Sequence, residues 1–260
     1  MFAAINGIDL YYKETGQGEP IVFIHGLGET ANSWRHQIGH FSPSYKVIAM
    51  DLRGHGQSGT DEEFITMELL ARDVLALMDH LGIDQAHFVG HSMGGIVSQA
   101  IAAHHADRML SMALSDSAGY YPPPMGTTGL ETRLKNIDCL TMAEMAVVIA
   151  EGACRPNAPA EVIEEVRALF AANRKEPYRQ ATISTLTADY REYHSKMRLP
   201  TLLMVGEFDK ITPLAYSEFL NSVLVYSKLK IIPDAAHMTK LENPLEYNRL
   251  LAEFLETAGR

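Results

Sequence analysis

The stretch "FVGHSMGGIVSQA", residues 88–100, decides the fold. A short apolar run ends at Gly90, Ser92 follows between two larger residues, and Gly94 opens an apolar run of helical character. The pattern G-x-S-x-G between a strand and a helix is typical of a sharp turn that lifts a serine hydroxyl clear of a sheet. Backbone strain at such a turn costs on the order of 1–3 kcal/mol and persists only where the surroundings enforce it. The stretch therefore predicts that Ser92 is a nucleophile that needs partners.

A serine hydroxyl is a poor nucleophile without a base. His237 is the preferred base because it follows the last predicted strand, in "PDAAHMTKLENP", and precedes the final helix. A loop at the carboxyl end of a strand can reach the sheet edge where Ser92 is expected. Three other histidines lie near strand ends. We interpret His25 and His55 as loop-structuring residues and expect His91 to point away from its neighbour Ser92.

The base in turn needs a carboxylate that orients it and stabilises its charged form. Asp209 ends the predicted strand "PTLLMVGEFD" and is the preferred candidate. Asp116 is a rival because it ends "MALSDS" and could reach the same histidine, whereas Asp234 is expected in a turn. The chain order Ser92, Asp209, His237 matches the order described for one particular fold.

Two backbone amides are predicted to hold the oxyanion that develops during attack on a carbonyl. One is the amide of Met93, directly after the nucleophile, and the other is the amide of Leu27 in "HGLGET". Losing one such donor typically costs about 3 kcal/mol of barrier lowering. The apolar side chains of Leu27 and Met93 are also expected to wall the acyl pocket.

Composition restricts the class of protein. The chain has 260 residues, of which 47% are hydrophobic and 21% charged, as in ordinary globular proteins. Its net charge of −10 argues against nucleic acid or an anionic membrane as a partner. With only two cysteines, the chain does not have the composition of a protein held together by disulfides. Neither a signal peptide nor a membrane helix is predicted. We expect a cytoplasmic protein.

Strands alternate with helices in most of the chain, which predicts a mainly parallel sheet with right-handed crossovers. The alternation stops between "YYPPPMG" and "MRLP", where amphipathic helical stretches occur without a convincing strand. We therefore predict a core formed by residues 1–117 and 199–260 and a helical cap subdomain formed by residues 118–198. An ordinary helical subdomain without a substrate role is the alternative.

The motifs "FIHGLGE", "DLRGHGQS", "GHSMGG", "GEFDKITP" and "AAHMTKLENP" together resemble the α/β-hydrolase superfamily over essentially the whole chain. The resemblance implies an α/β-hydrolase fold with an eight-stranded, mostly parallel sheet and a helical cap inserted after strand six. It also implies catalysis by Ser92, Asp209 and His237, with no cofactor and no metal. Asp51 and Arg53 look like the family's structural loop.

Details of the motifs narrow the function. A serine stands where dehalogenases and epoxide hydrolases of this fold carry aspartate, and the compact cap resembles the enol-lactonase and small carboxylesterase group. We predict a serine hydrolase that acts on a small-molecule ester or lactone. The alternatives are a carbon–carbon bond hydrolase acting on a β-diketone ring-cleavage product and, from another class, a receptor-like ligand-binding protein.

Substrate contacts are predicted from position alone, and packing between cap and core is the competing interpretation. The candidates are Trp34, Tyr120, Tyr121 and Met125. A charged substrate tail, which a carbon–carbon bond hydrolase often requires, could be met by Arg133, Lys135 or Arg191. The sequence gives no indication of oligomeric state.

Overall fold

A computed structural model of the chain describes residues 1–258. Eight strands form one sheet in the order β1-β2-β4-β3-β5-β6-β7-β8. Their bounds are β1 Phe2–Ile5, β2 Ile8–Thr15, β3 Pro20–Ile24, β4 Lys46–Met50, β5 Ala86–His91, β6 Met109–Ser115, β7 Thr201–Gly206 and β8 Ser227–Ile232. β2 pairs antiparallel with both of its neighbours, β1 and β4. All other neighbouring strands of the sheet pair in parallel. The predicted α/β-hydrolase fold with a mostly parallel sheet is confirmed.

The antiparallel edge begins with a tight hairpin. Ile5 pairs with Ile8, and the two residues between them, Asn6 and Gly7, both have positive φ, at 44° and 82°. This is the backbone of a type I′ turn, for which Asn-Gly is the favoured sequence because these residues tolerate left-handed conformations. The Asn6-Gly7 sequence therefore accounts for the hairpin.

Helices cover both faces of the sheet. The face with α1 (Arg35–Phe41) and α11 (Pro244–Ala258) buries Ile21 and Phe23, and the opposite face buries Val22 and Ile24. Alternate residues of β3 therefore point into two different cores, as expected for a central strand with a continuous apolar run. The opposite face is covered by α2 Met67–His80, α3 Met93–His104 and α9 Leu214–Val223.

A π-helical turn, Met125–Gly129, and five α-helices lie between β6 and β7 on the chain. The α-helices are α4 Leu130–Cys139, α5 Met142–Ala153, α6 Ala160–Ala171, α7 Lys175–Thr187 and α8 Arg191–His194. A separate apolar cluster packs α5 and α6 against Met238 and Leu241 of the core. The division of the chain into a core and a cap subdomain stays a prediction. The short helix α10 (Thr239–Glu242) precedes α11.

None of the helices within residues 1–258 combines the length and the apolar character that a membrane crossing requires.

Candidate active site

Ser92 lies on the turn between β5 and α3, with φ 50° and ψ −116°. A side chain at its neighbours would prevent this turn. A Cβ at Gly90 would lie 2.4 Å from the carbonyl oxygen of Gly94, and one at Gly94 would lie 2.1 Å from that of Ile24. Because backbone cannot move out of the way as a flexible side chain can, the two glycines are needed where strand and helix cross. The strained conformation of Ser92 is thus enforced by packing on both sides.

The three side chains predicted to act together meet at the carboxyl edge of the sheet. The Oγ of Ser92 lies 3.1 Å from Nε2 of His237, and Nδ1 of His237 lies 2.9 Å from Oδ2 of Asp209. All three residues are buried. Both distances are within hydrogen-bonding range, so a proton can pass from Ser92 to His237 while Asp209 orients the ring.

The carboxylate of Asp209 is held ionised by its surroundings. Oδ1 accepts hydrogen bonds from the backbone amides of Ile211 and Thr212, and Oδ2 accepts one from the Thr212 hydroxyl at 2.7 Å. Burial alone would raise the pKa of Asp209, but His237 and these donors lower it below its ordinary value. An ionised Asp209 favours the tautomer of His237 that carries its proton on Nδ1 and leaves Nε2 free to accept one.

The rival histidines make other contacts. Nδ1 of His25 donates to the Gly26 carbonyl, and its Nε2 accepts from the amide of Leu52. His55 contacts the Arg53 carbonyl through Nδ1. Both rings are buried, and burial lowers the pKa of His25 to about 4 and that of His55 to about 3. They are neutral residues that fix loops.

The rival carboxylates are also accounted for. Asp116, whose φ is 50°, accepts hydrogen bonds from the amide of Gly206 and the hydroxyl of Thr239. It thereby ties β7 to the helix that follows His237. Asp234 has a φ of 53° in the turn after β8. Asp209 is the carboxylate that contacts Nδ1 of His237.

The amides of Leu27 and Met93 make no hydrogen bond to any other part of residues 1–258. Leu27 follows β3, and Met93 begins α3 directly after Ser92. Both lie at the carboxyl edge of neighbouring parallel strands, since β3 pairs with β5. Two free N–H donors beside a nucleophile are the parts that an oxyanion site requires.

A cavity of about 170 Å³ lies above Ser92 and His237. Its walls are largely apolar, and Leu27, Tyr121 and Met125 line it as the sequence indicated. The other lining residues are Gly129, Arg133, Ile149, Ala153, Phe170, Thr182, Thr185, Leu186, Lys210 and Ile211. A second cleft, of about 350 Å³, lies beside Glu68 and Tyr190. It is lined by none of Ser92, Asp209 and His237, so we place the candidate active site at the smaller cavity.

Two of the predicted substrate contacts are wrong. Trp34 is fully buried against Phe23 and Tyr247 and contributes no surface to the cavity. Tyr120 lines a different depression, where its ring packs against Phe219 and under Arg191. Both residues were predicted because they are close in sequence to a loop of the site. That position did not determine where their side chains point.

The expectation that the Met93 side chain walls the pocket is also wrong. That side chain is fully buried in the apolar core beneath the helices, whereas Leu27 does line the cavity. Met93 can therefore serve the site through its amide and not through its side chain.

A buried charged pair lies directly behind the triad. Nζ of Lys240 is 2.8 Å from Oε2 of Glu29, and both side chains are at most 2% exposed. Glu29 also contacts Nδ1 of His91 at 2.5 Å, and Nε2 of His91 lies 2.7 Å from the carbonyl oxygen of His237. Burial alone would raise the pKa of Glu29, but His91 and Lys240 hold it well below its ordinary value.

Two residues of the site were given no role from the sequence, and a third was predicted only as one of three candidates for binding a charged substrate tail. Thr212 and Glu29 lie within the motifs "GEFDKITP" and "FIHGLGE", but no role in the site was predicted for either residue. Of the three basic residues predicted to meet a charged substrate tail, Arg133 lines the cavity, whereas Lys135 is exposed and Arg191 pairs with Asp189 at 2.6 Å.

The family model described as the alpha/beta hydrolase fold matches residues 19–244. The chain therefore belongs to the α/β-hydrolase family.

Individual relatives are similar over nearly their whole length. The chain is 29% identical to a 3-oxoadipate enol-lactonase of Acinetobacter baylyi over 245 residues, which covers 93% of this chain and 91% of that protein. Among solved structures, the enol-lactonase of Burkholderia xenovorans has a TM-score of 0.91 at 28% identity and covers 98% of this chain and 100% of its own. A thermophilic esterase of Thermogutta terrifontis has a TM-score of 0.92 at 27% identity, covering 100% and 99%. These similarities support a hydrolase of the α/β fold.

Proposed function

We propose that the protein is a serine hydrolase that cleaves a small carboxylic ester or lactone through an acyl-enzyme intermediate. The observation that carries the proposal is the continuous contact from Ser92 through His237 to Asp209, which opens into the cavity. The names of the enol-lactonase and esterase relatives support the same reaction class.

In the first half of the reaction, the Ser92 Oγ attacks the substrate carbonyl carbon while His237 Nε2 takes the serine proton. The free amides of Leu27 and Met93 stabilise the oxyanion that forms. The carbon–oxygen bond to the leaving group then breaks, and the alcohol departs with the proton from His237. A lactone opens at this stage without losing its alcohol, because the hydroxyl remains part of the acyl group.

In the second half, water attacks the acyl carbon and gives a proton to His237. The bond from Ser92 breaks, the serine oxygen recovers that proton from His237, and the free acid leaves. Throughout the cycle Asp209 stabilises the imidazolium without accepting the proton itself.

The experiment that tests the proposal is labelling with a fluorophosphonate followed by mass spectrometry. We expect one label on the wild-type chain, located on the peptide with Ser92, and none on Ser92→Ala. Ser98→Ala is the matched control, because Ser98 lies on α3 and donates to the Gly94 carbonyl. A wild-type chain that takes no label, or a Ser92→Ala chain that still takes one, would overturn the serine mechanism.

Hydrolysis of a carbon–carbon bond in a β-diketone is the second candidate, favoured by a single observation. Arg133 gives the cavity a positive charge that could bind the charged tail of such a substrate. Turnover rates on short nitrophenyl esters, γ-lactones and a vinylogous diketone rank the two reactions. A receptor-like protein would instead show ligand-dependent thermal stabilisation with turnover near zero on all three.

A further inference from the structure

Arg133 is a cation without a carboxylate partner in the cavity that contains Ser92. Its Nη2 donates to the hydroxyl of Tyr178 at 3.0 Å. Nε is buried without a hydrogen-bond partner, and Nη1 makes no hydrogen bond within residues 1–258. No ion pair to Arg133 occurs within the same range. A guanidinium in this position lacks the acceptors that such a group normally has.

The fully buried Arg53 shows how a guanidinium is paired with carboxylates elsewhere in this chain. Nε and Nη2 of Arg53 contact the two carboxylate oxygens of Asp73 at 2.7 Å and 2.9 Å, and a further pair joins Arg53 to Asp61. Arg53 is therefore held by the protein itself and serves the loop after β4. Arg133 lacks the equivalent of Asp73, and it faces a cavity and not a packed interior.

From these contacts we infer that the substrate carries a carboxylate, and that Arg133 binds this group while Ser92 attacks the ester or lactone carbonyl. The inference rests on the proposed function for the identity of the reacting bond. Arginine is suited to the task because its planar guanidinium forms strong, directed hydrogen bonds to carboxylate oxygens.

Tyr178 gives Arg133 a fixed position. The tyrosine is fully buried on α7, where it packs between Phe170 and Gly28 of the loop that bears the Leu27 amide. Its hydroxyl holds one end of the guanidinium, and it also raises the pKa of Arg133. Arg133 and the predicted oxyanion amide are thus supported by the same side chain.

The basic residues that line the cavity are opposite in sign to the net charge of the chain. The chain carries a net charge of −10, so its overall field repels anions, and a cation within the cavity acts as a local and specific attraction. Lys210 adds a second positive charge at the cavity wall. The nearby carboxylate of Asp209 is engaged by His237 and Thr212 and is not available to Arg133.

The cavity volume limits the length of the substrate. Arg133 and Ser92 line the same cavity, whose volume is about 170 Å³. A substrate that contacts both residues therefore carries its carboxylate close to the reacting carbonyl. Short carboxylated lactones and monoesters of small dicarboxylic acids meet both requirements.

The test compares γ-carboxy-γ-butyrolactone with γ-valerolactone, which replaces the carboxylate by a methyl group on the same ring. We expect the wild-type kcat/KM to favour the carboxylated lactone at least tenfold, and Arg133→Met to remove most of that preference. Arg133→Lys is expected to retain part of it, because it keeps the charge without the fork of donors. The matched control is Arg191→Met, since Arg191 lies outside the cavity and pairs with Asp189.

Equal kcat/KM for the two lactones in the wild-type chain, or an equal loss on both in Arg133→Met, would overturn the inference. A binding measurement separates this failure from failure of the proposed function. Calorimetric titration of succinate into folded Ser92→Ala should show binding that succinamide does not, and that Ser92→Ala/Arg133→Met loses. Succinate binding without hydrolysis of either lactone would overturn the ester or lactone reaction and leave the anion site standing. Absence of succinate binding would contradict the anion site whatever the enzyme hydrolyses.

Discussion

Nε2 of His91 lies 2.7 Å from the carbonyl oxygen of His237, so the residue before the proposed nucleophile holds the backbone of the proposed base. A carbonyl can only accept a hydrogen bond, and Nε2 of His91 therefore carries a proton. The other nitrogen of His91 contacts Glu29, which in turn pairs with Lys240 three residues after His237. The turn of the nucleophile and the loop of the base are thus joined by a buried polar network.

Removal of one member of the Glu29–Lys240 pair should be strongly destabilising. Lys240→Met removes the cation that faces Oε2 of the buried Glu29 and leaves only the contacts of Oε1 with His91 and the Gly26 amide. We expect a loss of about 3–5 kcal/mol in the free energy of unfolding. The double variant Glu29→Gln/Lys240→Met should lose clearly less than the sum of the two single variants. Urea unfolding of the four chains measures the coupling. Strict additivity would show that the two charges do not stabilise each other.

Asp209 and Asp116 should differ in what their loss affects. Asp209→Asn removes the carboxylate at Nδ1 of His237, and we expect kcat to fall by about 10⁴. Asp116→Asn disturbs the contacts to Gly206 and Thr239 and should lower stability while kcat stays within roughly tenfold of wild type. Steady-state kinetics on a nitrophenyl ester, with thermal unfolding of both chains, checks this. A larger kcat loss in Asp116→Asn would move the acid to that residue.

Thr212 should act as a positioning residue for Asp209. Thr212→Val removes the hydroxyl that donates to Oδ2, and we expect kcat to fall roughly tenfold with KM nearly unchanged, the effect of one hydrogen bond to a charged group. Thr212→Ser keeps the donor and should restore most of the rate. If the serine variant is as slow as the valine variant, the methyl group and not the hydroxyl is what matters at this position.

Gly94 should tolerate no side chain, because its added Cβ would meet the backbone oxygen of Ile24 at 2.1 Å. We expect Gly94→Ala to cost more than about 3 kcal/mol of stability, or to prevent folding. Gly152→Ala on α5 is the matched control. Nothing lies within 4 Å of a Cβ there, and alanine should stabilise the helix by roughly 0.5–1 kcal/mol. A mild effect at Gly94 measured by thermal unfolding would contradict the tight crossing.

Stability should decrease in mild acid because of His55. Burial lowers the pKa of His55 to about 3 from an ordinary value of 6.5. Between those values the unfolded chain binds a proton that the folded chain does not, so the contribution of His55 to stability is complete above about pH 6.5 and is lost as the pH falls. His55→Asn can keep the hydrogen bond to the Arg53 carbonyl but does not titrate.

We expect the free energy of unfolding of the wild-type chain to fall more steeply between about pH 6.5 and pH 5 than that of His55→Asn. The difference in slope should approach about 1.4 kcal/mol per pH unit. Denaturant unfolding across this range gives both slopes. Parallel curves would show that His55 takes up its proton in the folded protein as readily as in the unfolded one.

The parts of the fold that follow from local patterns could be predicted from the sequence. The strand runs, the helices between them and the turn at Ser92 each depend on a few neighbouring residues, and the structure has all of them. The parallel sheet followed from their alternation, because connections between parallel strands have one favoured hand. The meeting of Ser92, Asp209 and His237 then required only that carboxyl ends of parallel strands share one edge.

Side-chain direction outside that edge could not be predicted in the same way. Trp34 follows the loop that contains Leu27 but belongs to a 3₁₀ turn, Ala31–Trp34, whose geometry directs the indole into the core. Arg133 is on a polar helix without a distinctive motif, and its place in the cavity results from the packing of α4 beside α7. Such contacts depend on how helices that are far apart in sequence pack against each other. The local sequence pattern does not contain that information.

The most direct test of the account is to trap the acyl-enzyme. Wild-type protein quenched in acid during turnover of p-nitrophenyl acetate should gain the mass of one acetyl group, and peptide mapping should locate it on Ser92. His237→Asn and Ser92→Ala should remain unmodified over the same interval. An acetyl group on another residue, or sustained turnover by Ser92→Ala, would contradict the claim that Ser92 is the nucleophile.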